Sequence, residues 1–163
     1  MAIRTAKIED YREIQKLFQE VQDIHSKARS DVYKKNKIFK MDEFKEMLTS
    51  ENNYIFVYED NKRIIGLCSC IIKNQNPNNT IYGKKYLYID TIVVENSSTK
   101  HGIGKKLYLY VRSVAIQHRC KSVELNVWNF NKNAIEFYKK MNMEVKSIKF
   151  EEKLWLKLTD IVI

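Results

Sequence analysis

The chain has 163 residues, a length suited to one domain, and 44% of them are hydrophobic, enough to fill a single core. Lysine and arginine outnumber aspartate and glutamate 29 to 20, a net charge of +9, so the surface attracts polyanions such as nucleic acid, anionic membrane or a phosphorylated cofactor. No apolar run is long enough to cross a bilayer, and three cysteines, with Cys68 and Cys70 two apart in an apolar run, fit neither a disulfide framework nor a zinc site.

The opening Ala2 to Ala6 alternates as a short strand does. The segment IEDYREIQKLFQEVQDIHSKA then places Tyr11, Ile14, Leu17, Phe18, Val21, Ile24 and His25 at helical spacing. The immediate charge of this N-terminal stretch is unlike a signal peptide, and with reduced, packed thiols it leads to the expectation of a cytoplasmic protein, in which the sequons at Asn78 and Asn96 carry no message. A second helix is expected in MDEFKEMLTS, with Met41, Phe44, Met47 and Leu48 as its apolar stripe.

The period then changes. YIFVYED and IIGLCSCIIK read as two strands of a hairpin around a polar connector, Glu59 to Arg63, with Asp60 and Asn61 as turn formers. NQNPNNTIYGKK holds the only proline, Pro77, and reads as a mobile surface loop. KYLYIDTIVV, Lys85 to Val94, is the most strand-like run; it leads into a glycine-containing loop and a helix marked by Ile103, Leu107, Val111, Val114 and Ala115. KSVELNVWNF returns to strand alternation. NKNAIEFYKKMNM is a short helix that Asn142 ends in a left-handed cap, and EVKSIKFEEKLWLKLTDIVI reads as two further strands. The order implies an α/β (α+β) chain with one mixed, mostly antiparallel sheet flanked by helices, a single domain over 1–163.

Two of the four glycines crowd into KHGIGKKLY, Lys100 to Tyr108. A Walker-type loop fails because Thr99 stands where its first glycine belongs and Lys106 where it needs serine or threonine. A dinucleotide fingerprint fails because Leu107 occupies the third glycine position. Two readings remain open: glycines that serve chain geometry alone, or glycines that let the backbone amides of a helix start approach an anion, with Lys100, His101 and Lys105 adding charge.

YIDTIVVENSSTKHGIGKKLY followed by VELNVWNFNKNAIEFYKKMNM resembles motifs A and B of the GCN5-related N-acetyltransferases (GNAT), most specifically between Leu87 and Met143. The resemblance implies the GNAT acyl-CoA N-acyltransferase fold and acetyl transfer from acetyl-CoA to a small amine, polyamine or peptide amine in a ternary complex, without a metal. It aligns the pyrophosphate loop with Thr99, Lys100, His101, Gly102, Ile103, Gly104 and Lys105. Thr99 departs from the family's Arg or Gln, Lys100 from a frequent glycine, and Asn142 from another glycine. By the same resemblance, backbone N–H groups near Ile92, Val93 and Val94 hold the pantetheine arm and the carbonyl oxygen, Asn131 contacts coenzyme A, and Tyr138 serves as general acid toward the thiolate.

A general base is sought in Asp90, the one acid in its apolar strand, which alternation places on the same face as Tyr88 and Ile92; Glu124 is the substitute, and a structural carboxylate is an equal alternative for Asp90. Tyr88, Asp90 and Trp128, with Tyr86, are candidates to line the acceptor site, where the aromatic rings would favour a cation or else belong to the core; the resemblance adds His25, whose alternative is a helix cap or surface residue. The competing functions are a basic nucleic-acid or protein binding module, which has no clustered basic helix to support it, and a catalytically silent CoA-binding regulator. No nucleic-acid or membrane partner is expected, and family members often form homodimers.

Overall fold

The computed structural model describes residues 2–35, 39–96, 98 and 102–154, and the chain divides into two compact units, Met1–Phe130 and Asn131–Ile163. The first unit holds β1 (Ala2–Thr5), α1 (Tyr11–Ala28), α2 (Met41–Thr49), β2 (Asn53–Asp60), β3 (Arg63–Gln75), β4 (Lys84–Val94), α3 (Ile103–Gln117) and β5 (Ser122–Leu125). The second holds α4 (Lys132–Lys140).

The five strands form one sheet in chain order. β1 to β4 pair antiparallel, and β5 joins β4 in parallel after the α3 crossover, so the expected mixed and mostly antiparallel sheet is present. Alternation along β2 sorts its side chains. Ile55 and Val57 pack with Leu67 against Ile14 and Leu17 of α1 and Phe44 of α2, all buried. Phe56 and Tyr58 face the other way, where Tyr110 of α3 meets Phe56 edge-on at 5.0 Å and the Lys106 ammonium lies 5.6 Å from the Tyr58 ring centre. Helices thus cover both faces, and a sheet so enclosed carries apolar residues on both, which explains the unbroken IIGLCSCII run of β3.

The first turns are fastened by charge. The buried Asp10 carboxylate accepts two hydrogen bonds from the Arg4 guanidinium, at 2.7 and 3.0 Å, and one from the Lys7 backbone N–H at 2.7 Å. Arg4 also donates to Glu59 of β2, so β1, the entry to α1 and the sheet share one network. Burial alone would raise the Asp10 pKa, but the bonds from Arg4 and Lys7 outweigh it and hold it below the ordinary carboxylate value.

The β2–β3 hairpin turns on Asn61 and Lys62, both left-handed at φ 48° and 62°, as a two-residue type I′ turn requires. The polar stretch after β3 is an exposed hairpin end. Asn78 organises it, its side-chain oxygen accepting from the N–H groups of Thr80 and Ile81 and from the Thr80 hydroxyl. Two strand expectations fail. β5 stops at Leu125, because the chain leaves the sheet at Asn126 and residues 126–130 turn toward other partners described below. In the expected terminal strands, residues 144–154 carry no strand, and Val145, Ile148, Phe150 and Leu154 are exposed, since alternation alone supplies no neighbouring edge to bond with; residues 155–163 lie outside the described residues.

Asp10→Asn is expected to cost about 1.5–3 kcal/mol near neutral pH, the worth of hydrogen bonds to a charged group. Because the folded pKa of Asp10 is depressed, this contribution is fully present above about pH 4 and is lost as pH falls through the lower folded value. Denaturant midpoints of wild type and variant across pH check this: the gap should close in acid, and a constant gap would contradict it.

Candidate active site

β4 has 11 residues and β5 has four. Their parallel register runs from Tyr86↔Ser122 to Ile89↔Leu125 and ends there, while β4 continues to Val94 on its other partner, β3. From Asp90 to Val94 the β5 side of β4 is therefore open, and alternate residues along it present backbone N–H and C=O groups into the gap. Ile92, Val93 and Val94, expected to lie at such a splay, lie on it.

The opening coincides with a β-bulge. Cys70 pairs with Ile89 and Ser69 with Thr91, which leaves Asp90 as an extra residue without a cross-strand partner. The bulge corrects the expected alternation. Ile92 pairs with Cys68 and shares a face with Ile89, whereas Tyr88, opposite Ile71, shares a face with Thr91 and not with Ile92. Asp90 is exposed and lines the same cleft as Tyr88, and among the described residues its one polar contact is a 3.4 Å approach of the Thr91 hydroxyl.

The chain then reaches α3 through the glycine loop. Thr99, Lys100 and His101 lie outside the described residues. Gly102, the N-cap of α3, is left-handed at φ 70°, and a Cβ there would meet no atom within 4 Å, so conformation and not crowding selects glycine. The first helical bond runs from the Lys106 N–H to the Gly102 carbonyl at 3.0 Å, which leaves the N–H groups of Ile103, Gly104 and Lys105 without an intrahelical acceptor. Gly66 of β3 seats this turn on the sheet: a Cβ built on it would stand 3.2 Å from Ile103 Cγ2, from Leu107 Cδ1 and from the Val93 carbonyl oxygen. Gly66 is thus a positioning residue that sequence reading missed.

A cleft of about 250 Å³ opens on the α1/α2 side of the sheet beside the bulge, walled by Met47, Ile55, Ile71 and Tyr88, with Ser69 in its floor. Lys73 lines it too, its ammonium 4.3 Å from the Tyr88 ring centre. Burial raises the Tyr88 pKa and the nearby Asp90 charge adds to this, while hydrogen bonds from Asn126 work in the opposite sense. Glu124, the substitute base, is already engaged: its carboxylate accepts from the Lys84 ammonium and, at 2.8 Å, from the Ser122 hydroxyl. Tyr86 stands beside that pair, 5.1 Å from the Lys84 ammonium, and outside the cleft lining. Cys68 and Cys70 are buried free thiols; contact with Cys70, then burial, pushes the Cys68 thiol well up, so both are inert packing groups.

His25 and Trp128 belong to a separate cluster of rings. The His25 imidazole lies 4.8 Å from the Tyr33 ring and 5.9 Å from Phe130, Trp128 donates its indole N–H to the Tyr33 hydroxyl at 2.7 Å, and the Arg29 guanidinium sits 4.7 Å over Trp128. Burial lowers the His25 pKa and favours the neutral imidazole. Residues 126–130 tie this cluster to the cleft, since Asn126 bonds Tyr88 while Trp128 and Phe130 join the rings. Tyr33, between the two expected N-terminal helices, and Asn126 and Phe130, in a segment read as regular strand, gave no sequence signal.

In the second unit, Asn131 caps α4, its side-chain oxygen accepting from the Ala134 N–H at 3.2 Å. Tyr138 sits two turns on, its ring edge-to-face with Phe137 at 5.1 Å. Asn142 is left-handed at φ 60°; its N–H reaches the Lys139 carbonyl, and the Met143 N–H reaches that of Tyr138, the paired bonds of a Schellman cap. Asparagine therefore fills the expected glycine place.

The described residues suit an acyl thioester joined to a pyrophosphate. A strand edge offers amides to a carbonyl, and a left-handed glycine opens a helix whose first N–H groups, that of Lys105 among them, have no intrahelical acceptor, as at an anion-binding helix start. Among the described residues no group of three or more His, Cys, Asp or Glu could hold a metal, and no helix is long and apolar enough to cross a membrane.

In overall structure the chain is similar to a tetramutant of the BH1408 protein from Bacillus halodurans, at 26% identity and a TM-score of 0.91, covering 94% of this chain and 100% of that one. At 15% identity it shares the fold of the aminoglycoside N-acetyltransferase AAC(6')-Iy in complex with CoA, with a TM-score of 0.70 over 94% of this chain and 100% of that one. At 16% identity it shares the fold of a transcriptional regulator from Bacillus halodurans C-125, with a TM-score of 0.69 over 94% and 99%. No curated protein matches the sequence. The sequence profile of the acetyltransferase (GNAT) family matches residues 14–143, from within α1 through the end of α4, and the chain belongs to that family.

Proposed function

We propose that this protein is an acetyl-CoA-dependent N-acetyltransferase acting on a primary amine by direct attack in a ternary complex, with both units working as one domain over 1–163 in the cytoplasm. The observation that carries the reading is the early end of β5 beside a β4 that runs on to Val94, followed by a helix that starts on the left-handed Gly102. Here the backbone N–H groups near Ile92, Val93 and Val94 bind the pantetheine arm and polarise the thioester carbonyl. The loop from Thr99 through Lys100, His101, Gly102, Ile103 and Gly104 to Lys105 takes the pyrophosphate.

The thioester supplies an activated acyl carbon. The amine nitrogen bonds to that carbon as the C–S bond breaks, one proton leaves the nitrogen, and one is delivered to the departing thiolate. Tyr138 is assigned the delivery, and Asn131 a contact to coenzyme A besides its helix cap. Asp90 is assigned the removal, through water, supported by its exposure at the cleft and by the prior engagement of Glu124 with Lys84. Tyr88 walls the acceptor, with His25 and Trp128 at the border.

Acetyl-CoA should bind with measurable heat and release free thiol when amines are added; no binding would sink the proposal. Tyr138→Phe should lower kcat on the order of 10²-fold and change its pH profile, the scale of a lost general acid, and an unchanged kcat with an unchanged profile would remove that role. Asp90→Asn should lower kcat/KM on a similar scale. Acetylation unaltered by that change at every pH would place the base elsewhere.

A further inference from the structure

The cleft beside Asp90 carries two opposite charges that nothing else in the described residues neutralises. The Asp90 carboxylate makes no ion pair there, and the Lys73 ammonium has only the Tyr88 ring beneath it. The two do not pair with each other, although both line one cavity with Tyr88 between them in the lining. Lys84, which also lies against a tyrosine ring, shows the contrast: Glu124 takes its charge. Ser69, in the floor, makes no side-chain hydrogen bond to a described residue, and Asn53 adds an amide at the wall.

Lys73 is half-buried and Asp90 exposed at the same recess, and two opposite charges held apart there offer a ligand both of its counter-charges. The cavity, about 250 Å³, falls below the roughly 300–1,000 Å³ of pockets for drug-sized ligands, so the occupant is small. The net charge of +9 raises the encounter rate of anionic molecules and works against polycations.

We infer that the acceptor is a small amine that also bears a carboxylate, an amino-acid-like zwitterion, with its ammonium toward Asp90 and its carboxylate toward Lys73 and the Ser69 hydroxyl. This rests on the transferase reading above and narrows it. Lys73 is a specificity residue here: it holds the end of the acceptor that does not react, so its loss raises KM for the carboxylated amine more than it lowers kcat.

The test pairs each amino acid with the amine left when its carboxylate is removed, lysine with cadaverine, phenylalanine with phenethylamine, and β-alanine with ethylamine. Thiol release is measured for each, and binding to the CoA complex by calorimetry. At least one amino acid should exceed its partner amine by about 10-fold or more in kcat/KM or affinity. Lys73→Met should erase that preference through KM while sparing the partner amine, Lys73→Arg should retain it, and Lys73→Glu should turn it toward cadaverine. Equal or better use of the decarboxylated amines by the wild type, or a preference unchanged in Lys73→Met, would overturn the inference and leave the transferase standing. Failure of acetyl-CoA itself to bind would overturn both.

Discussion

Between two paired strands of a sheet every backbone N–H and C=O is normally consumed, and a strand that loses its partner partway must expose a row of them. β4 meets this constraint at Ile89, where β5 ends. The remaining five residues, Asp90 to Val94, keep β3 on one side and have an open edge on the other. The bulge at Asp90 falls at the same point, adds local twist, and brings a carboxylate to the mouth of the cleft. An unpaired stretch of strand edge would ordinarily be a liability. Under the proposed function it is where the extended pantetheine arm pairs as a strand does.

The rest of the first unit fixes what borders that edge. α3 must begin close to the end of β4, and the missing side chain at Gly66 allows Ile103 and Leu107 to settle against β3 while Gly102 turns the chain into the helix. On the opposite face, the buried cluster around Ile14, Phe44, Ile55 and Leu67 sets α1 and α2 at the level of the cleft, where Met47 reaches its wall. The segment after β5 leaves the sheet and uses Asn126, Trp128 and Phe130 to fasten Tyr88 and the His25 rings. The proposed binding residues Ile92 to Val94 thus sit on a strand, and the irregular segment 126–130 is tied down by side chains.

Much of this was legible in the sequence because its signals are local. Helical spacing marked α1 to α4, Asp60 and Asn61 sat in the polar connector that marked the hairpin, and Asn142 announced a left-handed cap. The glycine loop showed that a helix start follows a strand, and motif resemblance added the chemistry. What stayed hidden depends on partners distant in sequence. YIDTIVV alternates without a visible break, and the extra residue at Asp90 exists only relative to β3. Gly66 reads as a weak point in a strand until α3 lies on it. Lys73 reads as a surface lysine until Tyr88 comes beneath it and Asp90 joins the same cavity. The apolar alternation after Met143 suggested strands, but a strand also needs an edge to join, and a single sequence does not record one.

The central claim is that the open edge of β4 and the first turn of α3 are the acetyl-CoA site. Residue-resolved amide hydrogen exchange, with and without saturating acetyl-CoA, tests it most directly because the claim concerns those N–H groups. The account predicts slowed exchange on two separate stretches, alternate residues within 90–94 and residues 103–105, with the amides of 66–69 that already pair with β4 changing little. Protection that leaves both stretches unaffected while acetyl-CoA is bound would contradict it.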